Sequence, residues 1–186
     1  MPNRNKHPQF SVLMIKGTFD MKKTFIILTI LAGILLCAVG YSDSRHKTQI
    51  GHRAPALVLE RPGKRVSLED LAGRYVILNF WSSTDGLSRK STNEYTAWIR
   101  RNPDAPVSLV SVNFDSNRTL FSEIVRRDSL LESNQFYVGG DTARALADNY
   151  GLKNGYGTLL IDPQGVIVAH NPTEAQLTDF IIRRKG

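Results

Sequence analysis

The chain has 186 residues, 41% hydrophobic and 22% charged, which suits one ordinary domain plus a tail and excludes wholesale disorder or a collagen-like repeat. Its net charge of +7 is loaded towards the start, where Arg4, Lys6, Lys16, Lys22 and Lys23 face Asp20 alone. The later basic groups, Arg100-Arg101, Arg126-Arg127 and Arg183-Arg184-Lys185, fall near the ends of expected helices, where cations complement the dipole; the sequence therefore lacks the basic stripe that nucleic-acid binding requires.

The amino-terminal part divides in two. Residues 1–20 make a poor opening for an export signal, because a mixed segment containing Asp20 precedes the basic pair. Translation is expected to start at Met21, with residues 1–20 a gene-start artefact or disordered. Residues 21–41 carry Lys22-Lys23 and then the uncharged run Phe25 to Gly40. That run is longer than the roughly 7–15 residues of a signal core and shorter than the roughly 20 of a comfortable span. Ala38-Val39-Gly40 offers a cleavage site before Tyr41, so a cleaved signal and a retained short anchor both stay open. The positive residues ahead of the run predict that the rest of the chain lies outside the cytoplasm.

Cys37, the single cysteine, sits in this run. One cysteine excludes an intrachain disulfide and a thiolate zinc site. Lipidation of Cys37 is the weaker reading, because Leu36 stands where a small residue should precede a lipidated cysteine; a small apolar residue in a hydrophobic helix is the stronger. His7, His46, His52 and His170 are scattered without a carboxylate at ligand spacing. No metal or other cofactor is expected.

After a polar linker over 42–49, β-rich runs alternate with helical patterns over 50–186, as in an α/β sheet domain. Pro55 to Glu60 reads as an opening strand, followed by a turn at Pro62-Gly63-Lys64. Tyr75 to Phe80 is a nearly continuous apolar run, as expected of a strand covered on both faces, and Val107 to Phe114 is a second. Between them Leu87, Ser91, Tyr95, Trp98 and Ile99 recur at helical spacing. Ser116 or Asn117 caps a helix with Leu120, Phe121, Ile124 and Val125 facing inward, and Asp141 or Thr142 opens one carrying Ala145, Leu146 and Tyr150. Thr158 to Ile161 and Val166 to Ala169 flank the turn Asp162-Pro163-Gln164-Gly165 as an antiparallel hairpin. Thr173 and Gln176 form a capping box for a last helix with Leu177, Phe180 and Ile181 on its buried stripe.

Three stretches carry a resemblance. Gly51-His52-Arg53-Ala54-Pro55, Leu68 to Ser83 with its Asn79-Phe80-Trp81-Ser82-Ser83 ending, and Tyr150 to Asp162 resemble the redoxin branch of the thioredoxin-like superfamily, the membrane-anchored thiol-disulfide oxidoreductases of bacterial envelopes. The resemblance implies a thioredoxin-like fold, a central mixed β-sheet flanked by helices, over the whole body. It also marks departures. Where relatives place Cys-x-x-Cys this chain has Asp85 and Ser88, Thr84 replaces a tryptophan, and Tyr156 stands at the place of the family's cis-proline, where it is expected to be trans.

Thioredoxin-type chemistry needs a thiolate stabilised at a helix amino terminus and a second thiol to resolve the mixed disulfide. Asp85 and Ser88 supply neither, so no catalytic residue is assigned. Asp85 reads first as a helix cap, and alternatively, with Trp81, Thr84, Ser88, Arg89 and Tyr156, as part of a small binding pocket. Trp81 reads equally as the last large residue of a buried strand, and Asp115 and Asp162 as ordinary strand-end residues. The functional expectation is an exported or membrane-tethered, periplasmic, redox-inactive domain that binds a protein, peptide or ligand in the envelope. The alternative is thiol-disulfide oxidoreductase or antioxidant activity exerted with a partner supplying thiols.

Overall fold

The computed structural model describes residues 26, 27, 30, 31 and 47–183. The chain separates into two compact units, 1–42 and 43–186. In the first, Ile26, Ile27, Ile30 and Leu31 are helical and exposed; Cys37, the cleavage site and the start at Met21 lie outside the described residues. Among the described residues no helix is long and apolar enough to cross a membrane.

In the second unit β1 (Val58–Arg61) and β2 (Lys64–Ser67) form an antiparallel hairpin closed by Pro62 and Gly63. The main sheet follows with β3 (Tyr75–Trp81), β4 (Val107–Asn113), β5 (Gln135–Tyr137), β6 (Thr158–Ile161) and β7 (Ile167–His170). Its spatial order is β5-β4-β3-β6-β7. β3, β4 and β5 run parallel, and β6 and β7 are antiparallel to their neighbours. Helix α1 (Gly86–Arg101) joins β3 to β4, α2 (Arg118–Arg127) and α3 (Gly140–Tyr150) flank β5, and α4 (Glu174–Ile181) ends the unit.

β3 is central because both of its faces find apolar partners. Val76, Leu78 and Phe80 pack with Val110, Val112, Phe136, Leu146 and Tyr150 on the side covered by α3 and the hairpin. Ile77 meets Tyr95, Trp98 and Leu177 on the opposite side, and Trp81 packs there with Ile124 and Val125 of α2. Asn79 is the polar exception on this second face, and it is satisfied: its amide donates to Thr92 Oγ1 at 2.7 Å and its carbonyl accepts from Thr158 Oγ1 at 2.9 Å. Burial of a polar side chain is tolerable on those terms alone.

The Gly51 to Pro55 segment serves as an anchor. Gly51 N donates to Ile167 O, Ala54 N donates to Gly165 O, and Ile167 N returns a bond to His52 O. Pro55 O accepts the Tyr150 hydroxyl at 2.6 Å, tying the first family-like stretch to the third. Gly165, at φ +82°, supplies the left-handed turn residue between β6 and β7.

Three sequence expectations shift. The buried face of α1 is Ser88, Thr92, Tyr95, Thr96 and Trp98, so Leu87 points outward and is 81% exposed; the helix is rotated so that Thr92 can reach Asn79. Gly139 caps α3 without a side-chain bond and Asp141 lies within its first turn; Ala145 is exposed, and Leu146 and Tyr150 face the core. β2 and β5 are additional strands, the first with a single apolar residue and the second three residues long. Asn117 does cap α2, accepting from Thr119 N and Leu120 N, and the Thr173–Gln176 capping box forms.

Candidate functional site

The sheet delivers Trp81 and Ser82 at the end of β3, and the chain turns through Ser83 and Thr84 into the amino terminus of α1. Asp85 is the residue that starts this helix. Its carboxylate accepts the Ser88 amide at 2.7 Å, while the Ser88 hydroxyl donates to Asp85 O at 3.2 Å. Hydrogen bonding to the carboxylate from the Ser88 side chain and amide holds the Asp85 carboxyl below its ordinary range, and the dipole of α1 favours the same charge. Ser88 is buried, and its hydroxyl also accepts from Ser82 N at 3.3 Å. It is locked into the turn, without a base to activate it as a nucleophile.

A second carboxylate organises the loop. Asp115, just beyond β4 and 5% exposed, accepts the Ser82 hydroxyl at 2.7 Å, the Ser83 amide at 2.7 Å, the Ser83 hydroxyl at 2.5 Å and the Asn113 amide group at 3.1 Å. Four donors fill the acceptor capacity of one carboxylate. Thr84 extends the network through a 3.0 Å contact with Ser82 Oγ. The sequence reading passes Asp115 over as a strand-end residue and Ser82-Ser83 as a motif match, because nothing local shows that residues 32 apart share one carboxylate.

Tyr156 lies across from this turn. No peptide bond among the described residues is cis, and Gly155, at φ +125° and ψ 168°, gives the loop a conformation open to glycine. The Tyr156 ring packs on Phe114 at 5.5 Å. Burial, then the charges of Asp115 and Asp85, push its phenol above the usual range. Beside it opens a cavity of about 550 Å³ whose walls include Ile50, Phe80, Tyr150, Tyr156 and His170.

The six residues proposed from the sequence thus separate. Thr84, Asp85 and Ser88 share the α1 amino terminus, and Tyr156 stands within reach of its charge. Trp81 is fully buried, donates its indole N–H to Gln135 Oε1 at 3.1 Å and contacts the Phe121 ring; it is a core residue and does not line the cavity beside Tyr156. Arg89 turns away as well, because Asp128 grips it at two points, Nε to Oδ2 and Nη2 to Oδ1, both at 2.6 Å. Among the described residues no group of three or more His, Cys, Asp or Glu is placed to hold a metal ion.

The chain as a whole is similar to known proteins. A thiol-disulfide oxidoreductase, ResA, of Bacillus subtilis is 28% identical over 170 residues, spanning 86% of this chain and 93% of its own length. The crystal structure of a thioredoxin-like protein from Parabacteroides distasonis matches at a TM-score of 0.61 and 29% identity, covering 72% of this chain and 94% of that one. The thioredoxin domain of a Bacteroides vulgatus thiol-disulfide oxidoreductase matches at a TM-score of 0.61 and 25% identity, covering 71% and 94%. Residues 50–170 match the AhpC/TSA family as a unit, and with its thioredoxin-like sheet and flanking helices the chain belongs to that family.

Proposed function

We propose that this protein is an envelope-exposed thioredoxin-like module that binds a protein or peptide partner and carries out no thiol-disulfide exchange of its own. The observation that carries the reading is elemental. The only cysteine is Cys37 and the methionines are Met1, Met14 and Met21, so no sulfur atom occurs after residue 37. At the helix terminus where the family resemblance places a cysteine pair stand Asp85, which is a cap, and Ser88, which is buried. An ionised carboxylate and an unactivated hydroxyl cannot exchange disulfides. The aromatic cavity beside Tyr156 and the exposed Leu87 at the first turn of α1 offer contact area for an extended segment.

The extracytoplasmic placement rests on Lys22-Lys23 followed by the apolar run to Gly40, and is in keeping with the envelope type that the sequence resembles. An insulin-reduction assay on the purified chain tests the first part: turnover no faster than buffer with reductant is expected, and a clear catalytic rate overturns it. Similarity to thiol-disulfide oxidoreductases supports a second reading, thiol-disulfide oxidoreductase or antioxidant activity exerted with a partner supplying the thiols. Trapping a mixed disulfide through Cys37 would support it; capture of an envelope protein that persists after Cys37→Ala supports the binding module.

A further inference from the structure

Away from the α1 terminus the fold assembles arginines that the sequence scatters. A cavity of about 750 Å³ lies between the β1–β2 hairpin, the last turn of α1, one side of α2 and strand β5, and shares no lining residue with the cavity beside Tyr156. Arg61, Arg100, Arg118 and Arg126 all line it. Among the described residues none of the four has a carboxylate partner: Arg100 donates to Ser129 O, Arg61 reaches Ser133 O at 3.5 Å, and the Arg118 guanidinium lies 5.6 Å over the Tyr137 ring. Of the two acids on the wall, Glu60 is already paired with Arg65 at 3.4 Å. Helix dipoles account for Arg100 and Arg126, each in a last turn, but not for Arg118, which occupies the first position of α2 at the positive end.

A buried group on the same wall points to what the arginines are for. Gln135 is 2% exposed. An indole N–H can only donate, so the bond from Trp81 Nε1 settles which end of the amide is the oxygen and leaves Nε2 as the free donor. That Nε2, and Arg61 Nε, are buried N–H groups without a hydrogen-bond partner. Unmatched buried donors are costly and call for an acceptor. Both residues line the cavity, and both orphans are donors shut just beneath its surface, so that a ligand reaches them once the side chain shifts outward.

We propose that this cavity binds a phosphorylated small molecule, its phosphate oxygens taken by the arginines and Gln135 and its organic part lying along Phe121 and Tyr137. Phosphate suits the donor set better than a lone carboxylate. Guanidinium forks pair with phosphate at two points each, and four of them exceed the acceptors of a single carboxylate. The volume falls in the range of small-molecule sites, roughly 300–1,000 Å³. The inference stands apart from the redox reading, since no residue of the Asp85 turn takes part.

Calorimetric titration of the full chain, in a non-ionic detergent at low salt, with inorganic pyrophosphate as the probe tests it. Saturable one-to-one binding is expected, weakening at higher ionic strength. The double variant Arg118→Gln/Arg126→Gln removes two exposed charges without touching the core and should weaken binding about tenfold or more. Gln135→Glu keeps an acceptor for Trp81 Nε1 while replacing the free donor by a carboxylate, and should abolish it. Dihexanoyl phosphatidic acid separates the two sources of a phosphate: binding tighter than pyrophosphate assigns a lipid headgroup, and weaker binding assigns a water-soluble phosphate. Absence of saturable binding to the unmodified chain, or equal binding by the double variant, overturns the proposal.

Discussion

Ser83 binds one carboxylate twice, its amide donating to Asp115 Oδ1 at 2.7 Å and its hydroxyl to Oδ2 at 2.5 Å. With the Ser82 hydroxyl on Oδ1 as well, the turn that precedes α1 is pinned to the end of β4 from three directions. Asp85 and Ser88 therefore inherit their positions from a residue some 30 positions later in the chain.

Asp115→Ala should expose the cost of this arrangement. The substitution leaves the Ser83 amide, the buried Ser82 hydroxyl and the half-buried Ser83 hydroxyl without their acceptor, and hydrogen bonds to a charged group are worth roughly 1.5–3 kcal/mol each. Partial hydration of the loop offsets part of that sum, so a net loss of about 2–4 kcal/mol is expected, read as a lower denaturant midpoint at unchanged slope. A loss under about 0.5 kcal/mol, the range of ordinary surface changes, would mean that the turn is held by something else.

Acid should weaken the fold through Asp128. Its carboxyl is pulled below the ordinary 3.8, chiefly by hydrogen bonding from Arg89, with Asn93 also contributing. A depressed folded-state pKa contributes stability that is fully present above the unfolded value and is lost as pH falls through the folded one. The window is therefore below about pH 4. Asp85, lowered by Ser88, adds in the same direction. Urea midpoints measured from pH 7 to pH 2 should fall across that window in the native chain, and more shallowly in Asp128→Asn, which starts less stable at pH 7. Parallel curves for the two proteins would remove Asp128 from the account.

Much of the scaffold is legible locally. The apolar run at Tyr75–Phe80, the cap at Asn117 and the Thr173–Gln176 box all act within a few residues, so pattern and chemistry announce them. The family-like stretches were equally local. What escaped was long range or polar: Arg89 reads as a pocket residue until Asp128, 39 positions on, claims it. Leu87 reads as core until Thr92 turns the helix to meet Asn79. β5, with three residues, is too short for any periodicity, and its Gln135 gains meaning only beside Trp81. Arg100 and Arg126 are each explained by a helix end, and their shared cavity is a product of tertiary structure.

The loop bearing Tyr156 should depend on Gly155. At φ +125° and ψ 168° this residue occupies a region nearly closed to side chains, with a cost of roughly 1–3 kcal/mol for anything else. A Cβ there would meet nothing within 4 Å, so Gly155→Ala isolates the backbone term from any clash. The expected result is a thermal midpoint lowered by roughly 2–4 °C per kcal/mol lost. An unchanged midpoint would show that the loop adopts another conformation at no cost.

Placing sulfur at the α1 terminus asks whether the scaffold presents a redox geometry. In Asp85→Cys/Ser88→Cys the first thiol would take the place of a half-buried cap whose amides already stabilise an anion, so its pKa should fall below the usual 8.5 or so. The second would replace a hydroxyl that is 5% exposed, and should resist alkylation while the first reacts readily. Loss of the Asp85 cap costs the helix about 1 kcal/mol, which a fold of this size should tolerate. Oxidation is then expected to close a disulfide between residues 85 and 88, and insulin reduction should become measurable, although Tyr156 stands where the family resemblance places a proline. A pair that alkylates equally, titrates near 8.5 and never closes would mean that the turn held by Asp115 does not offer the geometry a redox pair needs.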